Sequence, residues 1–243
     1  SFLSKLAFSS GYPAIIGGSP VRGLYTSAVS NPNLSWERQL SYNLGIDATL
    51  WNRLLGVEAD VFYSYTFDML AASSGYPASM GGYYPTYVNN NKIDSRGFEV
   101  TFTHDNHIGE FNYGGSLNLS WARTKWLKYP DSASALPYQR VTGRTYDSML
   151  ILVAEGLYQT EDEIDHSAWV DGIRPSLGDI KYKDIDGDGV IDAWKDRIYK
   201  GRSNSPELTG GLTLYASFKG FDANVMFTGG AFFDVALTGI YYN

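Results

Sequence analysis

From Trp36 to Trp51 apolar and polar residues alternate for longer than an ordinary strand lasts. The even positions are Trp36, Arg38, Leu40, Tyr42, Leu44, Ile46, Ala48 and Leu50; the odd ones are Glu37, Gln39, Ser41, Asn43, Gly45, Asp47 and Thr49. Successive side chains of a strand point to opposite faces, so this segment has one apolar and one polar side. Leu55 to Met69 repeats the pattern, with Val57, Val61, Tyr63 and Phe67 set against Glu58, Asp60, Ser64 and Asp68. Shorter runs follow at Phe98 to Thr103, Phe111 to Trp121, Leu208 to Phe218 and Phe221 to Thr228, and a weaker seventh strand is expected over Leu3 to Ser9.

The connections are lopsided. Trp51-Asn52-Arg53, Asp105 to Gly109, and Lys219-Gly220 join the strands in pairs, while long outer loops at about 71–94 and 128–207 separate the pairs. Short turns at one end and long loops at the other describe an outer-membrane β-barrel, and Trp36, Trp51, Trp121 and Trp126 near strand ends suit its aromatic girdles. A soluble β-sandwich also alternates, but its strands average about 5–6 residues with turn signals every 8–12. Six or seven strands do not close a bacterial barrel, which begins at about eight, and open edges in a bilayer leave backbone groups unsatisfied. The expected fold is all-β: an antiparallel transmembrane β-barrel, present as a partial arc of a larger one.

Composition narrows function further. A net charge of −7 argues against a nucleic-acid partner, and 44% hydrophobic residues with 15% aromatics argue against a disordered chain. The absence of Cys excludes a disulfide scaffold and a thiol nucleophile, and no run approaches the 18 or so apolar residues of a spanning helix. The first residues carry no basic stretch followed by an apolar one, so a small mature chain and a piece of a longer chain are both open. His104, His107 and His166 lie in no catalytic or zinc-binding pattern, and the expectation is no enzyme.

Asp184-Ile185-Asp186-Gly187-Asp188-Gly189-Val190-Ile191-Asp192 is the sharpest local motif. Its acids fall at positions 1, 3, 5 and 9 of an EF-hand-type Ca²⁺ loop, with Gly189 at 6 and the Val190 carbonyl at 7. Lys195 holds position 12, where a bidentate Glu is expected; Asp196 substitutes only if the loop bulges. The candidate metal residues are therefore Asp184, Asp186, Asp188, Val190, Asp192 and Asp196. The plainer alternative is a series of Asp-Gly turns without metal. From Glu155 to Lys200 there are 12 acids and 6 bases, as suits a solvated outer loop. Tyr83, Tyr84, Tyr87, Tyr158 and Trp169 are candidate contacts for a substrate or partner, since loop aromatics offer apolar faces with polar tips; packing on their own loops is the alternative.

Several stretches, in order along the chain, resemble the SusC/RagA-like TonB-dependent transporters. They are Asn31-Pro32-Asn33-Leu34-Ser35-Trp36-Glu37, Tyr42 to Asp47, Asn52-Arg53-Leu54, Tyr63 to Leu70 and Ser95-Arg96-Gly97-Phe98-Glu99-Val100. Gly156-Leu157-Tyr158-Gln159 with its acidic tail, Gly178-Asp179-Ile180-Lys181-Tyr182-Lys183-Asp184 through Asp196-Arg197, and Lys219-Gly220-Phe221-Asp222 complete the set. The resemblance implies a C-terminal-half segment of a plugged barrel of about 22 strands; the plug and last strands are expected to lie outside residues 1–243. It further implies residence in the outer membrane of a Bacteroidetes-type bacterium, in contact with its lipid. Uptake of oligosaccharides or peptides with a SusD-like surface lipoprotein follows, the TonB complex acting through the missing N-terminal part. No cofactor is required, with Ca²⁺ in the Asp184–Asp196 loop the one candidate. The competing reading is a small outer-membrane or surface β protein, structural or adhesive, whose Asp-rich loop binds a partner or Ca²⁺.

Overall fold

The computed structural model describes residues 5–8, 14–16, 19–21, 23–73, 76, 79, 84–170 and 173–235. Four short strands come first: β1 (Lys5–Phe8), β2 (Ala14–Ile16), β3 (Ser19–Val21) and β4 (Leu24–Ala28), paired β1 with β4 and β2 with β3. Long strands follow: β5 (Arg38–Leu50), β6 (Leu55–Ala72), β7 (Tyr87–Ile108) and β8 (Phe111–Lys128). The outer-loop segment then holds β9 (Met149–Leu152), β10 (Ala154–Leu157), helix α1 (Glu161–Asp165), β11 (Trp169–Val170), β12 (Ile180–Tyr182), β13 (Val190–Ile191) and β14 (Arg197–Lys200). Two strands finish the wall, β15 (Leu208–Phe218) and β16 (Phe221–Ala231).

Six strands form one antiparallel sheet in the order β16-β15-β8-β7-β6-β5, an open arc. Its register carries the alternation across every strand. Leu44, Val61, Phe98, Trp121, Leu208 and Ala231 form one cross-strand row. Four residues nearer the tight turns, Ala48, Val57, Phe102, Leu117, Leu212 and Phe227 form another on the same face. The intervening row on the opposite face is Asp47, Glu58, Thr101, Asn118, Gly211 and Thr228. A soluble protein would cover the apolar face; here Leu44 is 69% and Ile46 63% exposed. The ten steps from Leu40 to Leu50 span about 33 Å of strand, or about 25 Å when tilted by about 40°, the height of a barrel's lipid-facing band.

The tight turns follow from backbone chemistry. Lys219 (φ 49°) and Gly220 (φ 84°) are both left-handed, as a two-residue hairpin with the twist of its strands requires. Glycine also serves close packing: a Cβ on Gly97 would lie 2.5 Å from the Phe62 ring and 2.2 Å from the Trp121 carbonyl oxygen.

Two boundaries differ from the sequence expectation. β7 begins at Tyr87, so the first outer loop covers 73–86 and not 71–94. Residues 87–96 lack alternation, but they pair with the top of β6 and, from Lys92 onward, with β8. β6, β7 and β8 have 18, 22 and 18 residues, well beyond the 9–11 or so that cross a bilayer. Within 87–96 Asn91 and Asp94 are buried, and polar residues at enclosed positions break the apolar period. The second hairpin turns at Gly109 and Glu110, which places His104 and His107 inside β7.

Closed core lies mainly in the outer-loop segment and hardly at all in the wall. Ile164 is fully buried, with Ile191 and Tyr158 at 1% and 2% exposure. Helix α1 is placed by Thr160, whose hydroxyl accepts the Glu163 N–H at 3.2 Å, an N-cap on a short acidic helix. Ile164 is the one inward residue of that helix.

Candidate functional site

Above the wall, the outer-loop segment concentrates most of the candidate residues. The Asp-rich loop runs from Asp184 to Asp196 around β13. Asp184 accepts the N–H groups of Gly187 (2.7 Å) and Gly189 (2.8 Å) on its two oxygens. Asp186 accepts from Asp188, and Asp188 accepts from Val190 at 3.0 Å. These are the side-chain-to-backbone bonds that make Asp a turn former. Carboxylate oxygens of Asp184, Asp186 and Asp188 also lie within 4.8 Å of one another.

The other sequence candidates do different things. Asp192 accepts from the backbone of Trp194 and Lys195. Asp196 is fully buried and accepts the N–H of Ile185 (2.8 Å) on one oxygen and of Asp192 (2.7 Å) on the other. It staples the two ends of the loop. Val190 pairs with Trp169 in a parallel two-stranded ladder.

Lys195 was legible only as a break in the Ca²⁺ pattern; the structure gives it a role. Its Nζ lies 2.8 Å from Asp188, 3.5 Å from Asp192 and 3.9 Å from Asp186. The hydrogen bond to Asp188 and the surrounding negative charge raise the Lys195 pKa. Asp188 is held below the usual carboxylate range, first by the Lys195 hydrogen bond and then by the Val190 N–H. Asp192 is lowered chiefly by the Lys195 backbone N–H. A chain ammonium thus supplies positive charge to three of the four crowded acids.

Tyr158 and Trp169 come together, 11 residues apart in sequence, on a cavity of about 300 Å³ that Ile173, Tyr182, Ile191 and Asp179 also line. The Tyr158 hydroxyl donates to the Ala168 carbonyl at 3.0 Å, so this ring is part of the loop's core and shows the cavity only a face. Burial raises its pKa. Tyr84 and Tyr87 lie apart from that cavity's lining: Tyr84, in the first outer loop, stacks on Tyr76 at 4.7 Å, and Tyr87, 49% exposed, opens β7. Tyr83 lies outside the described residues. His104 bonds the Leu54 carbonyl at 2.8 Å and His166 the Asp162 carbonyl at 2.7 Å, turn and helix-end roles both.

A wall of two-faced antiparallel strands, turned tightly at one end and carrying a folded loop at the other, is an arc of a large β-barrel. The chain belongs to the TonB dependent receptor-like, beta-barrel family, matched over residues 6–242. TonB-dependent receptor P3 of Formosa agariphila is 27% identical over 236 residues, covering 90% of this chain and 23% of that protein. TonB-dependent receptor P26 of the same organism is 25% identical over 227 residues, covering 88% and 22%. Among solved structures, the RagAB peptide importer in its "open-open" state is similar with a TM-score of 0.64 at 21% identity, covering 95% of this chain and 24% of that one. Its "closed-closed" state gives 0.59, also at 21% identity, covering 95% and 24%. The chain therefore spans about a quarter of the length of these relatives.

Proposed function

We propose that these residues are wall and outer loops of a SusC-like TonB-dependent importer in the outer membrane of a Bacteroidetes-type bacterium. The carrying observation is the six-stranded wall whose apolar rows face one way and whose acids and hydroxyls face the other, in a chain that matches the receptor beta-barrel family over residues 6–242. On this reading Leu44, Phe98 and Leu212 meet lipid, while Asp47, Glu58 and Asn118 line the lumen. The cargo class is oligosaccharide or peptide; likeness to a peptide importer supports the second. The loop at 129–207, with Tyr158 and Trp169 on its cavity, contacts cargo or a SusD-like lipoprotein lid, and the TonB complex drives the cycle through a part of the protein beyond this segment. The test is deletion of the full-length gene, with growth and uptake measured on oligosaccharides and peptides as sole nutrients. Loss of one class, restored by the gene but not in a strain lacking TonB, is the expected result. Unchanged uptake of every class, with the protein outside the outer membrane, would overturn the reading.

The Asp184–Asp196 loop stiffens this segment, with Ca²⁺ as a competitor of the Lys195 ammonium. The clustering of Asp184, Asp186 and Asp188 supports a cation there. In the full-length protein, Lys195→Gln is expected to raise the Ca²⁺ affinity of the loop about ten-fold, because ligand charge sets such affinities and the internal competitor is gone. Protection of the loop from proteolysis during a Ca²⁺ titration reports it. No protection of either protein at millimolar Ca²⁺ would leave Lys195 as the sole counter-ion.

A further inference from the structure

A cluster of cations in this acidic chain lies where the wall meets the outer-loop segment. A cavity of about 680 Å³ is lined by Arg123, Lys125, Arg144, Lys200 and Arg202, with Asp234 the single carboxylate in its lining. Glu207, beside it, accounts for Arg123 through a two-pronged hydrogen bond and approaches Arg202 at 3.8 Å. Asp234 is engaged by the backbone N–H of Arg202 at 2.6 Å. Among the described residues, Lys125, Arg144 and Lys200 have no carboxylate within ion-pair distance.

The sheet face decides what reaches this cavity. Arg123 and Lys125 stand two and four residues beyond Trp121 on β8, so they share its face, not the polar one. The rows read upward as Val100–Leu119, Phe98–Trp121, Arg96–Arg123 and Asp94–Lys125. Apolar side chains give way to an aromatic rung, then to the Arg96–Arg123 pair and to Lys125, whose cross-strand neighbour Asp94 is buried. A molecule crossing the lumen meets the opposite face. A lipid whose chains lie against Leu119 and Trp121 places its headgroup at Arg123 and Lys125. Charge complementarity and continuity with the apolar band point to the same occupant.

We propose that this cavity binds the phosphate of an outer-leaflet glycolipid, with Lys125 and Lys200 as its main unpaired cations. The inference rests on the outer-membrane reading above. Its test uses the full-length protein extracted in detergent from outer membranes, wild type beside Lys125→Glu/Lys200→Glu. Binding of bisphosphorylated lipid A, of its dephosphorylated form and of inorganic phosphate is followed by native mass spectrometry. Phosphorylated lipid A is expected to bind the wild type at least about ten-fold tighter than the variant, with the dephosphorylated lipid distinguishing neither. Equal retention by both proteins, or a preference for inorganic phosphate over lipid A, would overturn the assignment. Unheated electrophoretic mobility reports whether the variant's barrel has assembled; if it has not, Lys200→Glu alone, at an exposed strand end in the loop, carries the same comparison. Wild-type protein missing from the outer-membrane fraction would instead remove the underlying reading before any lipid is added.

Discussion

Ile46→Arg in the full-length protein is expected to reduce assembled barrel severely, while Thr49→Arg three residues away leaves it nearly unchanged. Ile46 is 63% exposed midway along the apolar face of β5, in the cross-strand row of Ala59, Val100 and Leu119. An arginine at the depth of the bilayer midplane costs about 2–4 kcal/mol, and no neighbour in that row supplies an acid. Thr49 belongs to the polar face, across from Gly56 and Thr103, where a cation is solvated and finds acids on the same side. Heat-modifiable mobility of outer-membrane extracts measures both. Equal tolerance of the two arginines would mean that the apolar face does not meet lipid, and a water-soluble sheet would have to be considered again.

The second large effect is expected at Asp196. Asp196→Ala leaves the N–H groups of Ile185 and Asp192 without their acceptor inside a closed loop. Stranding two such donors costs on the order of 3 kcal/mol. Hydrogen exchange at those two amides should accelerate about 100-fold, with proteolysis at 184–196 rising in parallel. Asp196→Asn keeps one acceptor oxygen and falls between. Exchange unaltered in the alanine variant would assign the closure of the loop to Lys195 and the Asp-Gly turns alone.

The two residues were legible to different degrees. Ile46 was assigned its face by parity, because successive side chains of a strand point to opposite faces. Asp196 entered as a displaced Ca²⁺ ligand in the twelve-residue pattern, whereas the structure turns it inward onto backbone. Counting positions tells which acids are near each other in the chain; it does not tell which are solvated and which are enclosed. Lys195 shows the same limit, since only the folded loop brings its Nζ within 4 Å of three acids. The ends of β6 and β7 were missed for another reason: the polar residues Asn91 and Asp94 are buried there, and the period that marks a strand disappears.

The order of residues determined the six-stranded wall, its two faces, the first and third of its tight turns and the family resemblance, because alternation and turn chemistry are local and survive without tertiary knowledge. Tertiary structure alone decided the core of the outer-loop segment, which buries Tyr158, Ile164 and Ile191 from separate stretches of chain. It also alone decided the cationic cavity, which joins Lys125 to Lys200 across the whole of that segment. Those associations are long-range, and no period in the chain encodes a long-range contact.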